Sequence, residues 1–432
     1  QFILRLLMRG LVAVSAVVCV VLLGIAIFGP AVGERTDLTL VLTAITIWYA
    51  PLVCVVAILS AMLQVHGRFA VPSALPVILN ILLIAVALGA SIFRPEDPTG
   101  ATILLSATVV LVGVIQIAAA SVALERTGFG IAPIDKRPTL HDLRADPAVA
   151  DPARALWRQW LPTVLGLAVF QLNTLADALI AMIFSGPPGS TIDWLGDGVA
   201  SPMQTGSVAV LGAAARLYEF PLGVFGIAVA TAIFPQLSRT ADDRNAFGAL
   251  IRQGLRLTMF IGLPAAVGLV LVREPLTRAI YFAVGAIDPA DSKRIAWVLL
   301  GYAPAIWAYA GNHILVRAFY AQHNPITPMR VSLAMVALNV ALNLTLIWPL
   351  GAAGLAWSTA LCAILQTVNL LVLVRRYGDR PVDRAVAGSW GRTVIASIAM
   401  AAAVGAIVGA VNVEALPWPG VVGILLAAVA AG

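Results

Sequence analysis

The sequence contains few charged residues. Only 11% of its 432 residues are Asp, Glu, Lys or Arg, whereas a soluble globular domain has about 25%. Hydrophobic residues make up 60% of the chain, and the mean hydropathy is +0.95. This composition excludes an ordinary soluble domain and predicts an integral membrane protein. We therefore read the net charge of +6 as a sign of membrane topology, and we expect no nucleic-acid partner.

Cysteine and histidine are also scarce. Cys19, Cys54 and Cys362 lie far apart in apolar segments, as is typical of small buried apolar residues rather than of a disulfide or a metal site. The four histidines are scattered along the chain. We predict no metal site, and no nucleophile with a neighbouring base suggests catalytic residues.

Apolar segments long enough to cross a bilayer recur along the whole chain. The alternating ten-residue runs that are typical of membrane β-barrels are missing from the sequence. The pattern predicts an all-α integral membrane protein with about twelve transmembrane helices, at 10–28, 38–63, 73–93, 101–123, 160–184, 207–236, 254–272, 295–316, 329–349, 352–374, 392–411 and 419–432.

Basic residues are unevenly divided between the two sides of these segments. Alternating placement puts 20 of the 27 Lys and Arg residues on one side and 6 on the other, with Arg216 inside the membrane. The acidic residues are divided almost evenly. An excess of basic residues alone marks the cytoplasmic side, so the sequence predicts the orientation of the chain.

One long charged connector divides the predicted helices. Residues 124–158 contain six basic and five acidic residues and several prolines, which predicts a cytoplasmic linker. It would separate an N-terminal helix bundle (1–123) from a six-helix C-terminal bundle (159–376), followed by a C-terminal helix pair (377–432) that is clipped at its end. Residues 185–207 contain no Lys or Arg, and we expect a flexible loop on the outer side.

Two residues of opposite charge lie inside one apolar segment. Arg216 and Glu219 are three residues apart, and a charge at this depth costs about 2.5–3.5 kcal/mol on insertion scales unless it faces protein or a wet cavity. Helical spacing predicts that both share a face with small residues (Gly212, Gly223, Gly226 and Ala230). This face favours a cavity with room for a ligand. The alternative is a buried pair in which the two charges neutralise each other.

A second polar group is predicted in the C-terminal bundle. Asp177 lies in an apolar segment one turn after Asn173, Asn339 and Asn343 are four residues apart, and Thr359 lies in the next segment. Carboxylate, amide and hydroxyl oxygens are ligands for a hard cation, so we predict a sodium or proton site from Asp177, Asn339, Asn343 and Thr359. The alternative is interhelical hydrogen bonding, worth about 0.6 kcal/mol per contact.

Several motifs resemble one known family. The run AARLYEFPLGVFGIAVATAIFPQLSR (214–239) resembles the signature of the MurJ/MviN lipid II flippases, in the multidrug/oligosaccharidyl-lipid/polysaccharide exporter superfamily. GRFAVPSALPVILN (67–80), RAFYAQHNPITP (317–328) and NLTLIWPLGAAGLAWSTAL (343–361) resemble family segments in the same order. The resemblance covers essentially the whole chain. It implies two helical lobes and a C-terminal helix pair, fourteen helices in all. On that template the chain begins at the third helix, so its N-terminal lobe is truncated.

The resemblance also implies a function and a site. It implies a flippase, not an enzyme, that moves a lipid-linked peptidoglycan precursor from the cytoplasmic to the outer leaflet of the bacterial inner membrane by alternating access. The implied partners are an undecaprenyl-pyrophosphate carrying a disaccharide-peptide, membrane lipid and cell-wall synthesis proteins. Arg216 would anchor the diphosphate, beside Glu219 and Gly223. No cofactor is implied, although a monovalent cation or the membrane potential could drive the cycle.

Other functions stay open at this stage. A flippase for another polyprenyl-linked glycan, or a cation-coupled drug exporter of the same superfamily, would use a similar bundle. A membrane glycosyltransferase would need a pair of catalytic acids in a long loop, and the 124–158 connector shows no convincing pair. A non-transporting scaffold in wall synthesis would apply if the first two helices were absent in the cell.

Overall fold

The computed structural model describes residues 12–13, 15–20, 34–93, 96–127, 171–196, 198–282, 287–378, 381–410 and 416–431. The chain divides into two compact units, Gln1–Trp157 and Arg158–Gly432. The predicted linker 124–158 is described only as far as Thr127, so the predicted domain boundaries stay predictions.

The described part of the first unit is helical. Asp97 caps its last helix by accepting a hydrogen bond from the Gly100 amide at 2.7 Å, and Pro98 occupies the first helical turn, where a missing N–H costs nothing. Leu63, Leu75 and Leu124 are fully or almost fully buried where these helices pack. The helices are α1 (Glu34–Thr46), α2 (Tyr49–Val65), α3 (Ala70–Phe93) and α4 (Pro98–Glu125).

The described part of the second unit contains helices with one short pair of strands. Its elements are α5 (Gln171–Ile183), β1 (Ser185–Gly186), β2 (Met203–Gln204), α6 (Ser207–Pro221), α7 (Ala228–Arg239), α8 (Arg244–Thr277), α9 (Pro289–Tyr302), α10 (Ile306–Ala321), α11 (Ile326–Leu350), α12 (Ala352–Val374), α13 (Arg384–Gly409) and α14 (Trp418–Ala431).

Helices α11 and α12 form a tight hairpin. The backbone of Gly351 between them has φ +59°, a conformation that glycine adopts without strain. A side chain at Gly354 would collide with the Leu346 carbonyl, so the second helix can begin this close to the first only because Gly354 has none. Small residues at such contacts are how membrane helices approach each other.

Eight helices within the described ranges are long and apolar enough to cross a membrane. They correspond to eight of the predicted segments, and α5 and α14 are shorter apolar helices at two others. The predicted first span, 10–28, lies mostly outside the described residues. The predicted span 295–316 is interrupted by a 3-10 turn at Ala303–Ala305, between α9 and α10. The expected class, an all-α integral membrane protein, is confirmed.

The helix that carries Arg216 changes its winding. A π-helical segment, Leu222–Ile227, joins α6 to α7. Wider π turns accommodate an extra residue and rotate the face that follows. Consequently Gly226 and Ala230 are buried, whereas Gly212 and Gly223 are exposed. The prediction that all four share the Arg216 face is wrong for Gly226 and Ala230.

The described residues of the segment 185–207 are joined by hydrogen bonds, in contrast to the flexible loop expected from its sequence. Strands β1 and β2 pair in parallel, and Thr191 bridges to Ala200. The Ser201 hydroxyl donates to the Phe184 carbonyl at 2.9 Å. Ile192 and Met203 are buried inside. The sequence signal of apolar residues between glycines was too short to predict this arrangement. We call 185–207 the insert.

Candidate functional site

Arg216 and Glu219 lie on an open face of α6. Both side chains are exposed, as is Gly223 one turn further on. A methyl group added at Gly223 would meet nothing within 4 Å, whereas one added at Gly226 would lie 3.0 Å from the Ala310 methyl. The helix is therefore tightly packed on one side and has free space beside its charged residues.

The two charged residues do not neutralise each other. Among the described residues, neither Arg216 nor Glu219 makes an ion pair or a hydrogen bond through its side chain. The alternative of a buried pair is contradicted, because both side chains extend separately into open space. A guanidinium inside an apolar span needs water or an anionic group as a partner. This face can therefore accept an anion.

On the opposite face of α6, Tyr218 stacks with one tyrosine of α9 and one of α10. The Tyr218 ring lies 4.8 Å from the Tyr302 ring and 5.3 Å from the Tyr309 ring, centroid to centroid. Such stacked rings contribute about 0.5–1.5 kcal/mol beyond their burial. This stack was not predicted from the sequence. Its signal was the seven-residue spacing of Tyr302 and Tyr309, which would place both on one side of a helix.

The predicted polar group comes together around Asp177. The Asn343 amide donates to Asp177 Oδ1 at 2.6 Å and to Asn339 Oδ1 at 2.9 Å. The Thr359 hydroxyl donates to Asp177 Oδ2 at 3.3 Å, and the Asn173 amide approaches the same oxygen at 3.4 Å. Helix α5 thus supplies the carboxylate, and the α11–α12 hairpin supplies amides and a hydroxyl. We call these five residues the polar cluster.

Three members of the polar cluster are buried inside the second unit, whereas Asn173 and Thr359 are partly exposed. Asn343 has no exposed surface, Asn339 is 1% exposed and Asp177 is 9% exposed. The Asn339 amide bonds to Thr359 and Asn343 in one orientation, and to Asn173 and Asp177 in the other. Either way it stays within the cluster.

The polar cluster has acceptor oxygens to spare. No Lys or Arg within the described ranges pairs with the Asp177 carboxylate, and the buried Asn343 Oδ1 has no hydrogen-bond partner there. An uncompensated buried carboxylate and an unpartnered amide oxygen are costly. A small cation takes carboxylate, amide and hydroxyl oxygens as ligands, and the polar cluster contains all three types. The described residues bring together no group of three His, Cys, Asp or Glu residues that could hold a metal ion, so one carboxylate would carry the charge.

The tyrosine stack lies near both the polar cluster and the helix α6 that carries Arg216 and Glu219. Tyr218 and Tyr302 belong to the same buried core as Ile180 on α5 and Ile347 on α11, the helices that carry Asp177 and the two asparagines. Tyr218 belongs to the same helical turn as Arg216 and Glu219. The stack therefore packs α6 against the core that also contains α5 and α11.

Long apolar helices, an unpaired guanidinium on an open helix face and a buried polar cluster define a multi-pass membrane protein of the transporter class. A family model described as "Lipid II flippase MurJ" matches residues 1–430. The chain belongs to the MurJ lipid II flippase family.

Similar proteins are named as flippases rather than as enzymes. A "Probable lipid II flippase MurJ" of Vibrio cholerae is 30% identical over 351 residues, which is 80% of this chain and 59% of the relative. One from Rhizobium meliloti is 30% identical over 395 residues, 89% of this chain and 66% of the relative. "Lipid II flippase MurJ" of Burkholderia cenocepacia is 25% identical over 348 residues, 80% of this chain and 61% of the relative. The chain thus spans about 59–66% of these three proteins.

Solved structures share the fold. "Lipid II flippase MurJ, inward closed conformation" superposes with a TM-score of 0.71 at 19% identity, covering 99% of this chain and 83% of the other. The Vibrio cholerae MATE transporter VcmN in its bent form has a TM-score of 0.53 at 12% identity, covering 92% of this chain and 80% of the other. At such low identity these likenesses support the transporter fold alone.

Proposed function

We propose that the protein moves lipid II, an undecaprenyl-pyrophosphate bearing a disaccharide-peptide, from the cytoplasmic to the outer leaflet of the bacterial inner membrane by alternating access. Family membership supports this function, since relatives that match most of the chain are named as lipid II flippases. The single structural observation that carries it is the exposed and unpaired Arg216 guanidinium inside an apolar span.

Arg216 binds the diphosphate of the lipid in this proposal. A guanidinium is always charged and presents paired donors that match phosphate oxygens. The space beside Gly223 admits the head group next to the helix. Glu219, one turn away, makes no ion pair with the guanidinium among the described residues, so the guanidinium is free to bind the diphosphate. The hydrocarbon core of the bilayer is about 30 Å thick, so the charged diphosphate needs a cationic binding group within it.

In this proposal the polar cluster binds the ion that drives transport. Asp177, Asn339, Asn343 and Thr359 bind a monovalent cation, and the tyrosine stack transmits its presence to α6. The observation behind this step is the buried Asn343 Oδ1 without a partner beside an uncompensated carboxylate. Coupling to a cation or to the membrane potential then gives the cycle its direction.

Substitution of Arg216 tests the transport function. We expect Arg216→Ala to abolish lipid II translocation by the protein in proteoliposomes, and Arg216→Lys to retain part of it, because an ammonium keeps the charge but not the paired donors. The measurement is accessibility of labelled lipid II in the outer leaflet. Arg273→Ala is the matched control, since Arg273 lies near the end of α8, donates to the Val270 carbonyl and pairs with Glu274.

The same assay separates the substrates. Transport of a polyprenyl-linked polysaccharide precursor in place of lipid II would favour the related glycan flippases. Normal lipid II transport by Arg216→Ala would contradict the anchoring role.

A further inference from the structure

The insert leaves two large apolar side chains outside. Trp194 is 65% exposed and Leu195 is 42% exposed, while Ile192 and Met203 are buried within the same insert. The backbone is held by hydrogen bonds from Ile192 to Val199 at 2.8 Å and from Ser201 to Ser190 at 2.9 Å. The outward position of Trp194 and Leu195 is therefore fixed by the fold.

A row of aromatic rings connects Trp194 to the end of a membrane span. The Phe184 ring, which directly follows α5, lies 5.7 Å from the Trp194 ring and 6.2 Å from the Trp348 ring. Trp348 lies two residues before the end of α11 and is 46% exposed. Trp194 thus lies level with the ends of two apolar helices, where tryptophans favour the membrane interface.

The surface around this row is continuous with the apolar surface of the spans. Met182 and Ile183 at the end of α5 are 64% and 49% exposed. The insert has no Lys or Arg and contains two acidic residues, Asp193 and Asp197, so it offers no basic side chain to an anionic polymer or to an acidic protein. These features fit hydrocarbon and the glycerol region of a bilayer.

We propose that the insert lies in the membrane interface, with Trp194 and Leu195 inserted into the lipid leaflet beside α5 and α11. The partner is the phospholipid surface itself. This inference does not depend on which lipid the protein transports.

The insert is also fastened to the helix that carries Arg216. Arg294 on α9 donates to the Gln204 carbonyl at 3.3 Å, the Thr205 carbonyl at 3.2 Å and the Ser207 hydroxyl at 3.2 Å. Ser207 is the first residue of α6, and Arg216 follows nine residues later, about 14 Å along a helix. An insert held at the interface therefore keeps Arg216 near the middle of a bilayer core of about 30 Å.

Spin labelling measures the position of the insert directly. In a background without Cys19, Cys54 and Cys362, a nitroxide is attached to Leu195→Cys and the protein is reconstituted in phospholipid vesicles. Leu333→Cys, on an exposed side of α11, is the lipid-facing control, and Asp242→Cys, in the turn before α8, is the water-facing control.

We expect the label at position 195 to collide more often with oxygen than with a water-soluble nickel chelate, as the label at 333 does. A label as accessible to nickel as the one at 242 would overturn the proposal. So would a label shielded from both reagents, since protein rather than lipid would then cover the insert.

Tryptophan fluorescence provides a second measurement on the unlabelled chain. Quenching by phospholipids brominated near the head group should decrease when Trp194 is replaced by Phe, because Trp194 then no longer contributes a lipid-exposed indole. Trp390→Phe is the control, since the Trp390 indole donates to the Leu255 carbonyl inside the protein. Equal quenching of the wild type and Trp194→Phe would contradict the proposal.

Discussion

At the scale of single residues, Asp177 determines what the polar cluster can hold. Its carboxylate accepts from Asn343, Thr359 and Asn173, all of them neutral. The negative charge of the carboxylate is therefore stabilised by amide and hydroxyl dipoles, but no positive charge neutralises it. A monovalent cation would cancel it, whereas a second carboxylate would be needed to favour a divalent ion.

Cation binding at Asp177 should appear as stabilisation. We expect sodium chloride to raise the melting temperature of the purified protein by several degrees above that in choline chloride, because a ligand at a hundredfold excess over its Kd stabilises the folded state by about 2.7 kcal/mol. Asp177→Asn should remove this difference. The measurement is thermal unfolding at constant ionic strength.

Glu219→Gln is the control for that experiment. It removes a carboxylate from the open face of α6 and leaves the polar cluster intact, so the sodium-dependent rise should persist. An Asp177→Asn variant that sodium still stabilises would place the cation elsewhere.

Much of this site could be predicted from single residues, and part could not. Asp177, Asn339, Asn343 and Thr359 stand out because each is polar within an apolar span, and the structure brings them together. The tyrosine stack was missed because tyrosine in an apolar segment is compatible with many positions. The buried Asn343 Oδ1 depends on side-chain rotation, which no sequence pattern specifies.

At the scale of elements, the π segment Leu222–Ile227 decides which glycines face the packed interior. Gly226 is buried against α10, where an added methyl would also lie 3.2 Å from the Ala310 Cα. Gly212 on the same helix has nothing within 4 Å. A regular helical period of 3.6 residues predicts that Gly212 and Gly226 lie on one face. The sequence offers no signal for the extra residue of a π turn, so this prediction failed.

Alanine at these two glycines distinguishes the packed side from the open side. We expect Gly226→Ala to destabilise the protein by about 1–3 kcal/mol, because the backbone of α10 must move to admit the methyl group. Gly212→Ala should leave stability unchanged or raise it slightly, since alanine favours a helix. Thermal unfolding of both variants in one detergent measures the difference. Equal effects at both positions would mean that the π segment does not set this packing.

At the scale of the whole molecule, the sequence predicted the class well because hydropathy alone determines which segments cross a membrane. The eight long apolar helices agree with predicted spans. The interruption at Ala303–Ala305 was missed because the residues around it remain apolar. The order in the insert was missed because many of its hydrogen bonds join backbone atoms, which any sequence can supply.

The orientation of the chain remains a prediction from its basic residues. We expect a membrane-impermeant maleimide to label Thr205→Cys in intact spheroplasts and Asp242→Cys only after permeabilisation, because the positive-inside rule places the turn before α8 in the cytoplasm. Both positions are exposed, so their reactivity should be equal in detergent. Labelling of Asp242→Cys in intact cells would reverse the assigned topology.

The division of the polar cluster between α5 and the α11–α12 hairpin has a mechanical consequence. The negative charge travels with one helix, and nearly all the groups that solvate it travel with another pair. Sliding α5 against the hairpin would strip the carboxylate of its neutral partners, so an empty cluster resists separation less than an occupied one. A cation bound in the polar cluster would then restrain the motion of α5 relative to the α11–α12 hairpin, and its departure would release them.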